Sequence, residues 1–527
     1  MKNLLLINFL FFTTNVFAQV DVAAKYGSVI TGAQLKKHLL VIAGDAFEGR
    51  ETGTKGQRLA AEYIQQQFTA IGLKQPQGLK NYQQYYPLQN DTVLQASLII
   101  NNVAANNLVD YLVPLQPNNT TKYKAKEIVF AGYGIYDSAY NDYANLNVKG
   151  KVVLIFLGEP KKDGKFFIGQ DGKTSKWTYP GISAKVQAAA EKGAAGVLVV
   201  NPNMEVISQR YINANTKSTL TFESIPTENE SGKINYALIS HAFAKTILAT
   251  QFDTLLSIVK NKNVFNNAPI ILKTKIQLAF KKTRNIVQAS NVIGIVEGTD
   301  KKDEYVFITA HYDHLGIQNE KIYYGADDDG SGTVGIIQMA EAFAKAKADG
   351  YGPRRTVVFM AVSGEEKGLW GSEYYSDHPI YPLAKTSVDL NIDMVGRVDT
   401  ERKTADTLNY IYVVGHNKIS SEMPIINEAA NAKYTNLVLD YKFDDPNDPN
   451  RIYYRSDHYN FARKGVPVLF FYDGMLKADY HKPTDTVDKI NFELCEKRVR
   501  MIFYTAWEIA NRDNLLNRDK PLDNGTK

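Results

Sequence analysis

The chain has 527 residues, of which 44% are hydrophobic and 22% charged, and its net charge is +5. This length exceeds what a single compact core accommodates, so two or three domains are expected. The composition is typical of globular domains. Because no block of like charges stands out, the sequence offers no support for nucleic-acid binding.

The N-terminus predicts export. Lys2 is followed by an apolar stretch, residues 4–12, and then by Val16, Phe17 and Ala18. A basic start, a short hydrophobic region and small residues at a cut site are typical of a secretory signal peptide, here residues 1–18. The apolar stretch is too short to span a membrane. We therefore expect an exported protein, periplasmic or secreted, without a membrane span.

Residues 19–95 are predicted to form the first part of the main domain. Ala60, Ile64, Phe68 and Ile71 share one face of a helix, which Gly72 should end. From 96 to 275 the pattern changes to short apolar runs between polar turns, with one Ala-rich helix over residues 183–192. This stretch has no cluster of His, Cys and carboxylates. It is predicted to be a separate β-rich domain inserted into the first.

From residue 276 to 527 strands and helices alternate. The predicted strands are residues 305–308, 356–362, 388–392 and 466–471, and a helix follows Gly332. Such alternation predicts an α/β fold with a mostly parallel sheet flanked by helices. In that architecture function lies at the carboxyl ends of the strands.

The single cysteine, Cys495, excludes a disulfide within the chain. It falls in a helical series with Phe492, Val499, Ile502 and Ala506, so we interpret it as a small core residue.

Five residues suited to binding metal recur in order along this last region, each at or just beyond an apolar run. They are His311 in ITAHYDH, Asp328 in GADDDGSG, Glu366 in SGEEKG, Asp393 in NIDMVG and His481 in DYHKP. Two imidazoles and three carboxylates suffice for two zinc ions that share one bridging carboxylate. With one hydroxide, the three carboxylates balance the four positive charges, as a buried site requires. Co²⁺ or Mn²⁺ would also suit these ligands.

Three further side chains complete the predicted site. Glu365 adjoins Glu366 but faces elsewhere, so it is a candidate general base. Asp313 could accept the proton on the far nitrogen of His311 and fix the ring tautomer. Tyr480 could donate a hydrogen bond to the oxyanion of the reaction.

Each motif taken alone has an ordinary interpretation. Paired glutamates commonly start a solvated helix, and GADDDGSG alone could be an acidic turn or a calcium loop. The order of the five residues and their placement at one predicted edge of the sheet favour a shared metal site over these separate interpretations. His314, His378, His416 and His458 lack such company, and Asp457 and His458 are assigned a structural role.

With these residues in view, the chain resembles the di-zinc exopeptidase family of bacterial leucine-type aminopeptidases and glutamate carboxypeptidases. The motifs HYDH, GADDDGSG, SGEEKGLWGSEYY, NIDMVG and YHKPTDT carry the resemblance, and GDAFEGRETGTKGQRLAAEYI is similar to the family's N-terminal helix region. The insert resembles a protease-associated domain through GKVVLIF and KVQAAAEKGAAGVLVV.

The resemblance implies a role for each residue. His311 and Asp393 would bind one zinc, Glu366 and His481 the other, Asp328 would bridge them, and Glu365 would be the base. It also implies a cis peptide between Asp328 and Asp329. Asp327 departs from the family, where Asn is common, and is expected to add local negative charge.

The expected function is an aminopeptidase that hydrolyses N-terminal residues from peptides. A carboxypeptidase acting on short acidic peptides would need arginines near the metals, with Arg455 and Arg463 as candidates. Glutaminyl cyclases share the fold but use one zinc. A receptor-like relative that binds peptides without catalysis is the alternative of a different class. The preferred side chain, the role of the insert and the oligomeric state do not follow from the sequence.

Overall fold

A computed structural model describes residues 21–116, 118–166, 168–169, 172–207, 211–212, 217–222, 234–260, 269–404 and 406–521. The predicted signal peptide, residues 1–18, lies outside these residues. The chain divides into two compact units. Unit 1 consists of the chain up to Tyr86 and from Gln288 onward, and unit 2 is Pro87–Val287.

The helices and strands of the described residues are numbered in chain order. The helices are α1 (Val22–Gly27), α2 (Gly32–Ile42), α3 (Lys55–Ile71), α4 (Ile182–Glu191), α5 (His241–Leu248), α6 (Thr250–Lys260), α7 (Gly332–Ala348), α8 (Trp370–Asp377), α9 (Glu422–Tyr434), α10 (His458–Ala462) and α11 (Phe492–Asn511). The strands are β1 (Gln83–Ile100), β2 (Val103–Ala104), β3 (Tyr111–Leu112), β4 (Thr121–Ala125), β5 (Ile128–Phe130), β6 (Val152–Phe156), β7 (Lys161–Lys162), β8 (Lys165–Phe166), β9 (Gly196–Asn201), β10 (Ser218–Phe222), β11 (Asn235–Ser240), β12 (Ile271–Leu272), β13 (Ile276–Val296), β14 (Lys301–His311), β15 (Ile317–Gln318), β16 (Lys321–Ile322), β17 (Arg355–Val362), β18 (Thr386–Ile392), β19 (Tyr410–Val414), β20 (Val438–Asp440) and β21 (Val468–Tyr472).

The boundaries of the two units fall inside the long strands β1 and β13. The units change at residues 86/87 and 287/288, whereas the sequence predicted boundaries at 95/96 and 275/276. A change in composition cannot locate a boundary that lies within one continuous strand, because the strand keeps its pattern across it.

The sheet of unit 1 is mostly parallel, as predicted. β14 lies between β17 and β18 and is parallel to both, and β18 is parallel to β21. β13 and β19 join the sheet antiparallel, to β17 and β21 respectively. The carboxyl ends of β14, β17, β18 and β21 therefore meet at one edge of the sheet.

Both faces of this sheet are buried, which explains why its strands have continuous apolar sequences. Alternate residues of one strand enter two different cores. Val306 and Ile308 of β14 pack with residues of α2, α3, α7 and α11, whereas Tyr305 and Phe307 pack with residues of α8 and α10. The predicted helix at Ala60 is α3, and it ends at Gly72, whose φ of 82° is the left-handed conformation that favours glycine.

Unit 2 is built around a second sheet with its own cores. β5, β6, β9 and β11 are parallel neighbours, and β12 and β3 are antiparallel at its two edges. Val152 and Leu154 of β6 enter one core, and Val153 and Ile155 enter another. The predicted Ala-rich helix is α4.

Cys495 lies in α11, which begins after Asn491, whose side chain accepts a hydrogen bond from the Leu494 amide at 3.0 Å. The thiol is buried in the core of unit 1, as predicted. Among the described residues, none of the helices combines the length and the apolar character that crossing a membrane requires.

Candidate metal centre

The topology brings the predicted site residues to one edge of the sheet of unit 1. His311 is the last residue of β14, and Asp393 directly follows β18. Glu365 and Glu366 begin a short helical turn after β17. Asp328 lies in the turn Ala326–Ser331 ahead of α7, and His481 lies in the loop that follows β21.

One half of the cluster is centred on His311. Its Nε2 atom lies 3.2 Å from Asp328 Oδ1 and 3.6 Å from Asp393 Oδ1. Glu365 Oε2 lies 3.9 Å from the same nitrogen. Ser456 Oγ donates to Asp393 Oδ2 at 2.7 Å, which leaves Oδ1 facing the histidine.

The other half of the cluster is centred on His481. Its Nε2 atom lies 3.0 Å from Glu366 Oε2 and 3.2 Å from Asp328 Oδ2. Asp328 therefore presents one carboxylate oxygen to each half. The peptide bond between Asp328 and Asp329 is cis, as the resemblance implied. All five predicted ligands converge, with Asp328 between the two pairs.

His314 also belongs to this cluster, which the sequence analysis did not foresee. Its Nδ1 atom lies 2.7 Å from Glu366 Oε1 and 3.9 Å from Asp328 Oδ2, and its side chain is fully buried. The sequence analysis left His314 outside the set of metal-binding residues, whereas the structure places it against two of them. The only signal in the sequence was its position in HYDH, three residues after His311.

The unpartnered atoms of the cluster show that it suits a cation. Two compact triads, His311–Glu365–Asp393 and His314–Asp328–Glu366, each offer ligand atoms within 4.8 Å of one another. Buried polar atoms normally have a hydrogen-bond partner. Among the described residues, these buried atoms make no regular hydrogen bond, although histidine–carboxylate contacts of 2.7 to 3.2 Å connect several of them: His311 Nε2, both ring nitrogens of His314, Asp328 Oδ2 and Glu366 Oε1. Imidazole nitrogens and carboxylate oxygens are the donors that zinc prefers.

The carboxylates of the cluster differ in their electrostatics. Burial raises the pKa of Glu365 well above its usual range, and nearby Asp393 and Glu366 add to the rise. Burial also acts to raise the pKa of Asp328, but His311 and His481 hold it well below its usual value. Before a cation binds, the surroundings thus favour the anion of Asp328 and the protonated form of Glu365. Carboxylates with pKa values driven apart in this way mark acid–base sites.

The supporting side chains depart from expectation in one case. His311 Nδ1 lies 3.0 Å from the backbone oxygen of Asp313, whereas the Asp313 carboxylate is 3.8 Å away. The carbonyl group, and not the predicted carboxylate, is thus the closer partner of the ring. The carboxylate turns instead to Thr52, whose Oγ1 donates to it at 2.6 Å, and to the amide of Glu365 at 3.2 Å.

Tyr480 lines the cleft above the cluster. Its hydroxyl accepts a hydrogen bond from Arg455 at 3.1 Å. Asp328, Glu365 and Asp393 form the acidic side of this cleft, and its apolar wall consists of Ile452, Phe470 and Leu476. Of the two candidate arginines, Arg455 lines the cleft. Arg463 lies 3.6 Å from Glu373 and 3.9 Å from Asp377 in ion pairs of its own.

The surroundings of Asp327 oppose the negative charge that was expected there. It is fully buried, and its Oδ1 accepts a hydrogen bond from the amide of Gly396 at 2.8 Å. Burial, together with neighbouring Asp473 and Asp485, raises its pKa well above the usual range. The protonated form is thereby favoured, because two buried carboxylates side by side resist ionising together.

Comparisons with known proteins agree with this site. Residues 291–506 match the model of peptidase family M28, and residues 112–247 match the PA domain. The chain is 26% identical over 232 residues to the aminopeptidase YwaD of Bacillus subtilis, covering 43% of this chain and 46% of that protein. It is 28% identical over 216 residues to a probable leucine aminopeptidase of Arthroderma otae, covering 40% and 55%. The chain thus spans about half the length of the curated relatives it matches.

A solved structure extends the comparison to the fold. The aminopeptidase from Aneurinibacillus sp. strain AM-1 is 18% identical, with a TM-score of 0.52, and the match covers 95% of this chain and 98% of that one. At this identity the likeness concerns the fold alone. Together with the two family matches, it confirms the resemblance found in the sequence: residues 291–506 are similar to peptidase family M28, and a segment similar to the PA domain, residues 112–247, precedes them within unit 2.

Proposed function

We propose that the protein is an exported, zinc-dependent aminopeptidase that binds two zinc ions and removes residues from the N-terminus of peptides. The observation that carries the proposal is the pair of histidine–carboxylate clusters that share Asp328. His311 and Asp393 would hold one ion, and Glu366 and His481 the other, with His314 beside the second. Bound there, two ions would acidify a water molecule and polarise the carbonyl of the scissile peptide.

Glu365 is assigned the proton transfer. As the water oxygen attacks the carbonyl carbon, the Glu365 carboxylate takes the proton that the water gives up. It then delivers this proton to the peptide nitrogen as the carbon–nitrogen bond breaks. Its position supports this role, because Glu365 lines the cleft and its Oε2 lies 3.9 Å from His311 Nε2.

Tyr480 and Arg455 are assigned to the carbonyl oxygen. The hydroxyl of Tyr480 accepts a hydrogen bond from Arg455, and its own proton remains available for donation. Burial, together with nearby Asp328 and Glu365, raises the pKa of Tyr480, so the hydroxyl keeps that proton. A donor aimed at the oxygen that becomes negative stabilises the transition state.

The charge of the cleft favours the N-terminal over the C-terminal end of a peptide. Glu365 and Asp393 line it and would attract an α-ammonium group. A carboxypeptidase needs a guanidinium group to hold the terminal carboxylate. Arg455 lies in the cleft but donates to Tyr480, and Arg463 is paired with acidic side chains. The names of the relatives, two of them aminopeptidases, agree with this choice.

Export is proposed from residues 1–18 alone. The basic start at Lys2, the apolar stretch and the small residue Ala18 support cleavage by a signal peptidase. N-terminal sequencing of the protein purified from its native host should find a mature chain that begins just after Ala18. An intact N-terminus on cytoplasmic protein would refute this part of the proposal.

The function is tested by measuring metal content and then hydrolysis. We expect two zinc ions per chain and cleavage of aminoacyl-p-nitroanilides. Activity should be lost on chelation and restored by zinc, and N-acetylated versions of the same substrates should resist cleavage. Zinc-loaded protein that cleaves only from the C-terminus would establish the carboxypeptidase alternative. Zinc-loaded protein inactive on both kinds of substrate would favour a peptide-binding relative without catalysis.

A further inference from the structure

We propose that Arg50 is a positioning residue that holds two metal-binding segments of the chain in register. Arg50 belongs to a short segment, Gly49–Thr52, here named the N-terminal brace. The inference rests on the metal centre of the proposed function. It concerns metal binding and does not depend on which peptides are cleaved.

The side chain of Arg50 joins the two segments directly. The guanidinium group is fully buried. Its Nε donates to the carbonyl of Tyr312 at 2.7 Å, next to His311. Its other nitrogens donate to the carbonyl oxygens of Tyr324, at 2.7 Å, and of Gly325, at 2.8 Å. Both residues lie just before the turn that contains Asp328.

The rest of the brace contacts the same region. The amide of His314 donates to the carbonyl of Arg50 at 3.3 Å, and the amide of Gly316 donates to that of Gly49 at 3.0 Å. Thr52 Oγ1 donates to the Asp313 carboxylate at 2.6 Å. The brace therefore runs beside the chain that leaves β14, where His311 and His314 are located.

Arg50 also places a positive charge next to an acidic cluster. Burial lowers its pKa to about 10, and the neighbouring carboxylates of Asp485, Asp313 and Asp328 oppose this fall. The group therefore remains charged at neutral pH. Its planar fork of five donors can serve several carbonyls at once, which a lysine cannot do. The brace thus fixes the geometry of the ligands and offsets repulsion among the carboxylates.

The brace lies far from the metal-binding motifs in the sequence. The region that matches peptidase family M28 begins at residue 291. A segment near residue 50 thereby becomes part of the metal centre, although it contributes no ligand to it.

The competing explanation is that Arg50 is an ordinary buried arginine that stabilises the fold. Arg355 provides a matched control, because it too is fully buried in unit 1. It donates to the carbonyls of Ile509, Arg512 and Asp513. However, it lies at the amino end of β17, at the opposite end of that strand from Glu365.

The test compares the zinc affinities of Arg50→Met and Arg355→Met, measured on folded protein by competition with a chromophoric chelator. Loss of contacts that orient metal ligands typically weakens metal binding by about 10- to 100-fold. We expect a loss of that size in Arg50→Met and unchanged affinity in Arg355→Met. Wild-type affinity in Arg50→Met, or an equal loss in both variants, would overturn the proposal.

A second pair of variants covers the case in which Arg50→Met does not fold. Thr52→Val keeps the shape of the side chain but removes the hydrogen bond to Asp313. Thr69→Val removes a hydroxyl that donates within α3 and serves as its control. We expect Thr52→Val to bind zinc about tenfold more weakly, at the low end of such effects. Unchanged affinity in Thr52→Val would refute the role of the brace.

Discussion

Buried acidic groups of unit 2 and the acidic cluster of unit 1 differ in whether the protein places a basic side chain beside them. In unit 2, Lys185 of α4 is buried near Asp142 and Glu159, and its ammonium group donates to the carbonyls of Tyr133 and Gly158, both at 2.7 Å. Burial lowers the pKa of Lys185 to about 7, while the two carboxylates oppose this fall. Asp142 and Glu159 thus have an amino group of the protein nearby, and the buried carboxylate of Asp91 in the same unit pairs directly with Lys282 and Arg284, each at 2.7 Å.

The acidic cluster of unit 1 has no such cation in contact. Within the described residues, no lysine or arginine forms an ion pair with any of its carboxylates, which are Asp328, Glu365, Glu366 and Asp393. Their charged partners are histidines. Since uncompensated buried charge is costly, this cluster is built to accept a cation from solution. An acidic cluster therefore indicates a metal site only when the protein does not neutralise it internally.

The largest expected effect is that of Glu365→Gln, which tests whether the acidic cluster is catalytic. The amide cannot accept the proton of the attacking water, so turnover should fall by about 100- to 10,000-fold. Zinc content should not change, because the assigned ligands are intact. Steady-state kinetics with an aminoacyl-p-nitroanilide, together with metal analysis, will test this.

The control is Glu493→Gln, at an exposed position in the first turn of α11. A variant that keeps its activity would remove Glu365 from the mechanism, and one that loses zinc would make it a ligand.

A smaller effect is expected for His314→Gln, which tests whether His314 belongs to the metal-binding cluster. His314 Nδ1 lies 2.7 Å from Glu366 Oε1, so its loss should weaken zinc binding by about 10- to 100-fold. His458 is equally buried but stacks on Phe470 at 4.7 Å, and His458→Gln should therefore bind zinc normally. Competition with a chelator compares the two. Equal affinities would return His314 to a purely structural role.

The smallest effect on zinc binding and activity is expected in unit 2, where Lys185→Met removes a buried amino group. Each carbonyl left without a donor costs about 1–3 kcal/mol. Hydrogen exchange should therefore become faster in β5, β6 and β9, while zinc content is unchanged. Lys124→Met, at an exposed position of the same unit, should behave as the wild type. Unaltered exchange in Lys185→Met would show that the buried amino group of Lys185 does not stabilise unit 2.

The sequence predicted most of the sheet of unit 1 because its buried parallel strands are continuous apolar runs. It also predicted that the candidate ligands lie at one edge, where the structure has them, since topology alone brings the carboxyl ends of such strands together. His311, Glu365, Glu366 and Asp393 needed no further information than their positions after β14, β17 and β18.

The residues that were missed depend on contacts between distant parts of the chain. The carboxylate of Asp313 turns away from His311 because Thr52, which is remote in sequence, offers it a donor. His314 contacts Glu366 only because the chain bends after β14. The periodicity of apolar residues in the sequence does not predict such a bend. The burial of Arg50 could not be predicted for the same reason. An arginine in a polar segment has the same sequence signal whether it is buried or exposed. The direction of a side chain depends on tertiary contacts. The order of the strands along the chain, by contrast, follows from the pattern of apolar residues in the sequence.

The burial of Cys495 has a practical consequence for labelling this protein. It is the only sulfhydryl of the chain, and it lies at 1% exposure in a core where burial raises its pKa. Thiolates, and not thiols, react with alkylating reagents. A cysteine introduced on the surface of either unit would therefore carry a fluorophore or spin label without background. Distances between the two units become measurable in solution once each carries one such label.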